Sequence, residues 1–412
     1  MRYRGSCIDG TGRRRASASG ARARARVASA PREATVEPTP LRDIVREVVS
    51  IPTAPYLEGG VREHIRAFAE ARGLAHGEDA FGNAYVTYRR GRRRRPLVLG
   101  AHMDHPALVV TGVQGDRLDL EFRGGIDASY GDGEPLVLYR EGSREPHARA
   151  RVTSVRADER GRLAGGEATV DGDASGIAAD DLALWDVPAC RFRGDIVQAR
   201  ACDDLAGAAA VLAALDRIAA ERPNGHVVGL FTRAEEVGLL GASVAAREKL
   251  LPEDALVVAV ETSSMAGGRA EQGGGPIVRI GDAMHVFSPR MSQWMTALGG
   301  ELRAEDETFA FQRKLMDGGT TEATSYDLYG YETGAACIAL GNYHNAGPRG
   351  RIRAETVHLG DLEGLARLFV RMHETVPRYQ RYLPGLLRRY DVLGREGRKR
   401  LRSSARRRPS SS

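Results

Sequence analysis

The sequence predicts an α/β protein: a mixed, mostly parallel sheet with helices on both faces, carrying a small inserted β-barrel. Three observations lead there. Short apolar, β-branched runs (LVLGA at 97–101, VVGLF at 227–231, ALVVAV at 255–260, AACIAL at 335–340) read as strands buried on both faces. Longer stretches between them repeat apolar residues every three or four positions, as helices do. From 106 to 197 the texture changes to short alternating segments broken by turn residues, the mark of a small barrel or sandwich.

The elements follow in order. LRDIVREVVSI (41–51) has helical spacing and stops at Pro52, and VREHIRAFAEARG (61–73) is a second helix. FGNAYVTYRRG (81–91) is a strand entered from a glycine turn, and the strand at 97–101 delivers His102, Asp104 and His105 at its end. The insertion contributes LDLEF, EPLVLY, ARARVTSVRA and ACRFRGDIVQA. ACDDLAGAAAVLAALDRIAAE (201–221) is a long Ala/Leu helix headed by Asp203 and Asp204, where a helix N-terminus tolerates negative charge. The strand at 227–231 runs into the adjacent Glu235 and Glu236, and LLGASVAAREKL (239–250) then reads as a helix. A further strand ends at Glu261, GGTTEATSYDLYG (318–330) turns into a helix, and the strand at 335–340 is closed by His344. LGDLEGLARLFVRMHETV (359–376) is the last amphipathic helix expected.

A chain of 412 residues is long enough for two domains. The boundaries expected are a basic disordered arm over 1–37, a catalytic α/β domain from 38–105 and 198–387, the inserted barrel over 106–197, and a basic disordered tail over 388–412. Net charge is +6, but residues 1–33 carry +7 and residues 388–412 carry +8, which leaves the body at −9. An acidic body argues against a nucleic-acid-binding fold, with weak contact through the tails the exception. No apolar run reaches the length of a membrane span, so no membrane partner is expected. Cys7, Cys190, Cys202 and Cys337 form no CxxC pair, which suits a reducing cytoplasm. The Arg/Ser/Ala bias of the first residues fits a transit peptide or an over-extended start as well as a disordered arm.

Taken singly, each acidic or histidine motif has a bland explanation. A paired Glu is usually a solvated loop, an Asp pair before a helix is usually a cap, and a His after a strand is usually structural. Their convergence is more specific. Successive buried strands end in His102, Glu235/Glu236, Glu261 and His344, with Asp203 at a helix start, and open parallel sheets build sites beyond their carboxyl ends. Two histidines and three carboxylates suit a pair of divalent ions about 3.5–4 Å apart with one bridging carboxylate. The doubled glutamate can put one side chain on metal and leave its neighbour free as a base.

The words AHMDH (101–105), ACDDLAG (201–207), FTRAEEVGLLGA (231–242), VAVETS (258–263), GGTTEA (318–323) and NYHN (342–345) resemble the M42 glutamyl aminopeptidase-like family of co-catalytic zinc peptidases, over about residues 40–380. Domain order separates it from the M20 and M28 relatives. His102 and Asp203 are 101 residues apart with β texture between them, while Glu261 and His344 are 83 apart. GGIDASYGDGEPLVLY also resembles a stretch of the M42 β-domain. The resemblance implies that Asp203 bridges two ions, that His102 and Glu261 complete one site, and that Glu236 and His344 complete the other. Glu235 would be the general base on a metal-bridging water, and Asp104 would orient His102. Zn2+ is the ion expected, with Co2+ or Mn2+ also suited to the ligand set. It further implies peptide substrates with a free N-terminus and a dimer-based homo-oligomer, up to a dodecamer. The alternative on the same scaffold is an amidohydrolase or deacylase acting on small N-acyl or amide substrates. Glu261 stands where the family usually has Asp, and His105 where an acidic residue is common.

Overall fold

The computed structural model describes residues 37–405 apart from Arg93 and Arg269. The basic arm expected over 1–37, all but its last residue, and the final residues 406–412 lie outside the described residues. Helix α1 (Leu41–Val49) buries Leu41, Ile44, Val45, Val48 and Val49, a stripe at three-and-four spacing. Helix α2 (Gly59–Ala71) does the same with Val61, Ile65, Phe68 and Ala69. Strands β1 (Ala75–Glu78) and β2 (Ala84–Arg90) pair antiparallel, and β3 (Leu97–His102) is buried along its whole length.

Strands β4 (Ala107–Gln114), β5 (Arg117–Arg123), β6 (Pro135–Tyr139), β7 (Ala148–Ala157), β8 (Leu163–Val170) and β9 (Leu182–Trp185) close into a barrel in the order β4-β5-β8-β7-β6-β9. Its alternating side chains fill an interior of its own around Leu118, Leu120, Leu136 and Leu138. Strands β10 (Cys190–Arg193) and β11 (Ile196–Ala199) leave the barrel and pair with each other, and β11 pairs in turn with the later strand at Glu355–His358.

Helix α3 (Leu205–Glu221), strand β12 (Gly225–Thr232), helix α4 (Leu240–Arg247) and strand β13 (Leu256–Ser264) restore the α/β texture. They are followed by β14 (Ile277–Arg279), α5 (Pro289–Glu305), β15 (Gln312–Lys314), α6 (Glu322–Leu328) and β16 (Glu332–Leu340). The chain closes with β17 (Ala346–Gly347), β18 (Arg351–Ile352), β19 (Glu355–His358), α7 (Leu359–Thr375) and α8 (Tyr382–Ala405). The main sheet runs β1-β2-β12-β3-β13-β16-β14-β15. Its centre, β12-β3-β13-β16, is parallel, while β2 and β14 join it antiparallel.

Strand pleating divides the core. Leu97, Leu99, Ala101, Val258 and Val260 face a layer that includes α1, α3 and α7, while Val98, Val257 and Ala259 face α4 and α6. Helix α3 is buried nearly all round, which is why its Ala/Leu run shows little amphipathic contrast.

Two stretches differ from the sequence reading. The tail expected to be disordered from 388 is helical as far as Ala405 in α8. Its apolar residues Leu387, Tyr390, Leu393 and Leu401 recur at helical spacing among Arg and Lys, themselves good helix formers, so the charge run masked the period. Helix α7 is therefore not the last. Helix α5, the short strand β14 and the edge strand β15 were not anticipated. Yet α5 starts with a recognisable signal, Ser288 capping the Met291 N–H with Pro289 next to it.

Candidate metal centre

The strand register gathers the chemistry at one edge of the sheet. His102 lies beside Thr232, the last residue of β12. Ala259 faces Gly100, so two residues further along each strand Glu261 comes level with His102. The turn after β12 carries Glu235 and Glu236, the segment before α3 carries Asp203, and the segment after β16 carries His344. His102 Nε2 is 3.5 Å from Asp203 Oδ1 and 3.9 Å from both Glu235 Oε2 and Glu261 Oε2. His344 Nε2 is 3.2 Å from Glu236 Oε2 and 3.7 Å from the other Asp203 oxygen. The five expected ligands and Glu235 are thus brought together, and the longer arm of Glu261 reaches the cluster.

Three groups have ligand atoms mutually within 4.8 Å: His102–Asp203–Glu261, Asp203–Glu236–His344 and His102–Glu235–Glu236. Asp203 belongs to the first two. His102 Nδ1 lies 3.1 Å from the Asp104 carbonyl oxygen and His344 Nδ1 lies 2.6 Å from the Gly125 carbonyl oxygen in the barrel. Each ring can donate its Nδ1–H backwards, which leaves a lone pair on the Nε2 that faces the cluster. Five buried or half-buried carboxylates (Asp104, Asp203, Glu235, Glu236, Glu261) surround these two imidazoles.

Charge crowding shows in the titration of the cluster. Burial raises the Glu235 carboxyl well above its ordinary range, with Glu261, Glu236 and Asp104 adding to the effect and His102 opposing it. Burial, with Asp203 adding to it, pushes Glu261 up to about 8. Burial opposes a charged His344, yet the Glu236 and Asp203 carboxylates push it up to about 9. His102 and His344 outweigh the burial of Asp203 and hold it down at about 2. His102 Nε2, His344 Nε2, Asp203 Oδ1, Glu236 Oε1 and Glu261 Oε1 are buried without a hydrogen-bond partner. Buried polar atoms are normally paired. A net-negative cluster whose unpaired lone pairs converge is the donor set that divalent cations take.

The positions of these groups are fixed by carboxylates that sequence reasoning passed over. The two Asp104 oxygens accept the Glu235 and Glu236 N–H groups, each at 3.0 Å. Asp104 therefore acts on the glutamate turn as well, its carboxylate standing 3.6 Å from His102 Nδ1. Glu58, fully buried, accepts the Ala234 N–H at 3.0 Å and binds Arg233 Nε at 2.7 Å. Glu355, also fully buried, accepts the N–H groups of Cys202, Asp203 and His344 at 2.8, 3.0 and 2.8 Å. Neither Glu58 nor Glu355 sits in a motif, and the partners Ala234, Cys202 and Asp203 lie more than 150 residues away in sequence. His105 does not point a free nitrogen at the cluster: its ring lies between the Asp203 carbonyl oxygen at 2.8 Å and Asn345 Oδ1 at 3.1 Å.

A cavity of about 270 Å³ opens over the cluster, bounded by Ser263, Arg279, Met316, the 318–321 turn and Tyr343. Arg279 is buried there and donates to Ser263 Oγ at 3.3 Å and the Met316 carbonyl oxygen at 3.1 Å. Its Nε has no hydrogen-bond partner, and its charge acts on the nearby Glu261 carboxyl, opposing the rise that burial causes there. A larger recess of about 560 Å³, rich in arginine, lies beside Arg191 and Arg351 and contains none of the clustered residues.

The sequence profile of the M42 glutamyl aminopeptidases matches residues 82–368. The chain belongs to this family. It is a peptide-bond hydrolase of the aminopeptidase class. A protein of Acetivibrio thermocellus named "Putative aminopeptidase" is 24% identical to this M42 chain over 313 residues, 71% of the chain and 86% of the relative. Among solved structures, an aminopeptidase of the archaeon Desulfurococcus kamchatkensis aligns with a TM-score of 0.68 at 20% identity, covering 82% of this M42 chain and 96% of that one. The TET1 peptidase of Pyrococcus horikoshii, which can assemble into a tetrahedron or a large octahedral shell, aligns with a TM-score of 0.63 at 22% identity, covering 81% and 99%. M42 peptidases are metal-dependent, which accords with the donor set above.

Proposed function

We propose that the chain removes N-terminal residues from peptides at a centre of two divalent metal ions, Zn2+ first among them. Asp203 would hold both ions, His102 and Glu261 one of them, and Glu236 and His344 the other. The observation that carries this reading is the orphaned donor set, five buried ligand atoms converging without partners. When bound, such ions supply Lewis acidity, lowering the pKa of water and polarising the scissile carbonyl.

The remaining steps belong to the chain's own groups. Glu235, in none of the triads that contain Asp203, takes the proton of the attacking water and passes it to the leaving amine. Asp104 positions Glu235 by holding its N–H. The negative rim receives the substrate's terminal ammonium, and the Arg279 guanidinium at the cavity wall favours an acidic first side chain, in keeping with the glutamyl preference in the family's name. The α/β segments 38–105 and 198–387 carry the chemistry, and the barrel inserted over 106–197 frames the entrance, a reading supported by the bond between Gly125 and His344. A homo-oligomer is part of the proposal, by analogy with the assembling TET1 peptidase. The free Cys202 and Cys337, both buried, suit a reducing cytoplasm.

The test is hydrolysis of aminoacyl-p-nitroanilides, with and without N-acetylation, before and after chelation. Free-amine substrates are expected to turn over, chelation to abolish activity, and zinc or cobalt to restore it. Glu235→Gln is expected to cost about 10²–10⁴ in kcat with metal content unchanged. Turnover confined to acylated substrates would sink the aminopeptidase reading.

A further inference from the structure

Helix α8 is built unlike the rest of the molecule. It spans Tyr382–Ala405, and from Leu387 to Ala405 every residue except Gly397 is exposed. A helix that packs on its own core hides a stripe; this one leaves Leu387, Tyr390, Leu393 and Leu401 at 59, 67, 51 and 70% exposure. At about 100° per residue these four, with Gly394 and Gly397, fall on one arc of roughly 120° that contains no charge. Arg398 and Arg400 flank the arc, and Arg395, Lys399 and Arg402 lie behind it. Residues 382–405 hold seven Arg/Lys against Asp391 and Glu396, and the sequence continues with three more arginines at 406–408.

The helix also stands apart from the family's shared body. The family profile ends at residue 368, and the Pyrococcus peptidase is covered over 99% of its length by only 81% of this chain. The common fold therefore does not require α8. A second copy of the helix is a poor cover for its arc, because pairing two such faces brings two strongly cationic flanks together. Nucleic acid would neutralise the flanks but leave the leucines and the tyrosine in water.

We propose that α8 lies on an anionic lipid surface, with the Leu387–Tyr390–Leu393–Leu401 face entering the headgroup boundary and the flanking Arg398 and Arg400 meeting the lipid phosphates. This chemistry satisfies both faces of the helix at once. It is compatible with the chain having no helix, among the described residues, that is long and apolar enough to cross a membrane. Lying on a surface needs one apolar face rather than an apolar circumference.

The test uses the full-length protein and vesicles of phosphatidylcholine with or without phosphatidylglycerol, read by co-sedimentation. Binding is expected to the anionic vesicles alone, to weaken as salt is raised, and to fall about tenfold or more when the four apolar residues become Ser or when Arg395, Arg398, Arg400 and Arg402 become Gln. Hydrolytic activity in free solution serves as the folding control for both variants. Tyr390→Trp should blue-shift its fluorescence on anionic vesicles only. Three results would overturn the proposal. One is no vesicle binding by an active full-length protein. Another is binding that survives the apolar substitutions and is matched by RNA, which would make the helix a purely electrostatic arm. The last is loss of oligomer mass by light scattering in the apolar variant without any vesicle binding, which would assign the face to a second copy.

Discussion

Replacing Glu355 by Gln tests the claim that this centre is held together from behind. Glu355 touches no solvent, and its two oxygens accept three backbone N–H groups, those of Cys202, Asp203 and His344. Glutamine has a single acceptor oxygen. Turned one way, it keeps the bonds to Cys202 and Asp203 and points its NH2 at the His344 N–H; turned the other way, it opposes two donors. The first orientation loses less. It forfeits one charge-assisted hydrogen bond, about 1.5–3 kcal/mol, and leaves a buried donor unsatisfied, about 1–3 kcal/mol more. A total near 4 kcal/mol should lower the Tm of the chelated protein by roughly 5–10 °C by calorimetry. Because the conflict falls on the His344 side, chelator competition should show one metal site weakened about 10–100-fold and the other nearly unchanged. An unaltered Tm together with two unaltered affinities would refute the bracing argument.

Other outcomes follow from the same geometry. Asp104→Asn puts an amide against two N–H donors at the glutamate turn and should cut kcat about 10–100-fold while metal content stays near wild type by atomic emission. Arg279→Met should lower kcat/KM on glutamyl-p-nitroanilide relative to leucyl-p-nitroanilide; an unchanged ratio would remove Arg279 from substrate selection. Leu99→Ala, at a fully buried position in the central strand, should destabilise by about 2–5 kcal/mol in urea titration. Burial, with Arg94 nearby, pushes His373 down to about 4. In the unfolded chain it titrates near 6.5, so between those values the unfolded state holds more protons than the folded one. Its contribution is therefore complete above pH 6.5 and is lost as pH falls towards 4. His373→Phe should flatten that part of the stability–pH curve, and an undiminished slope would assign it to other groups.

The residues of the cluster were legible because each closes a buried strand or opens a helix, and parallel strands align their ends whatever lies between. The braces were not legible. Glu58 and Glu355 act by accepting backbone N–H groups 176 and 153 residues away, and a carboxylate with that duty has no local pattern. Asp104 shows the same limit in milder form. Its place beside His102 follows from the HMD spacing, whereas its bonds to the glutamate turn depend on how β3 and β12 align. In α8 an apolar period was present, but a run of ten basic residues after 387 suggested a solvated chain instead. Strands β14 and β15, three residues each, carry too few positions for alternation to register.

The bond between His344 and the Gly125 carbonyl oxygen makes the His344 and His102 sides of the cluster unequal. His102 takes its orientation from the residue two places along its own segment, so that half is internal to the sheet. The His344 half borrows its orientation from a loop of the barrel, 219 residues upstream. Any breathing of that loop tilts one imidazole and not the other. With two ions held as proposed, exchange should then be stepwise, the barrel-dependent position emptying and refilling first while its neighbour stays loaded. In evolutionary terms the insertion is not an ornament that can be trimmed or exchanged at will. A substituted barrel must present a carbonyl at the same point in space, or the chain keeps its sheet and loses the orientation of His344.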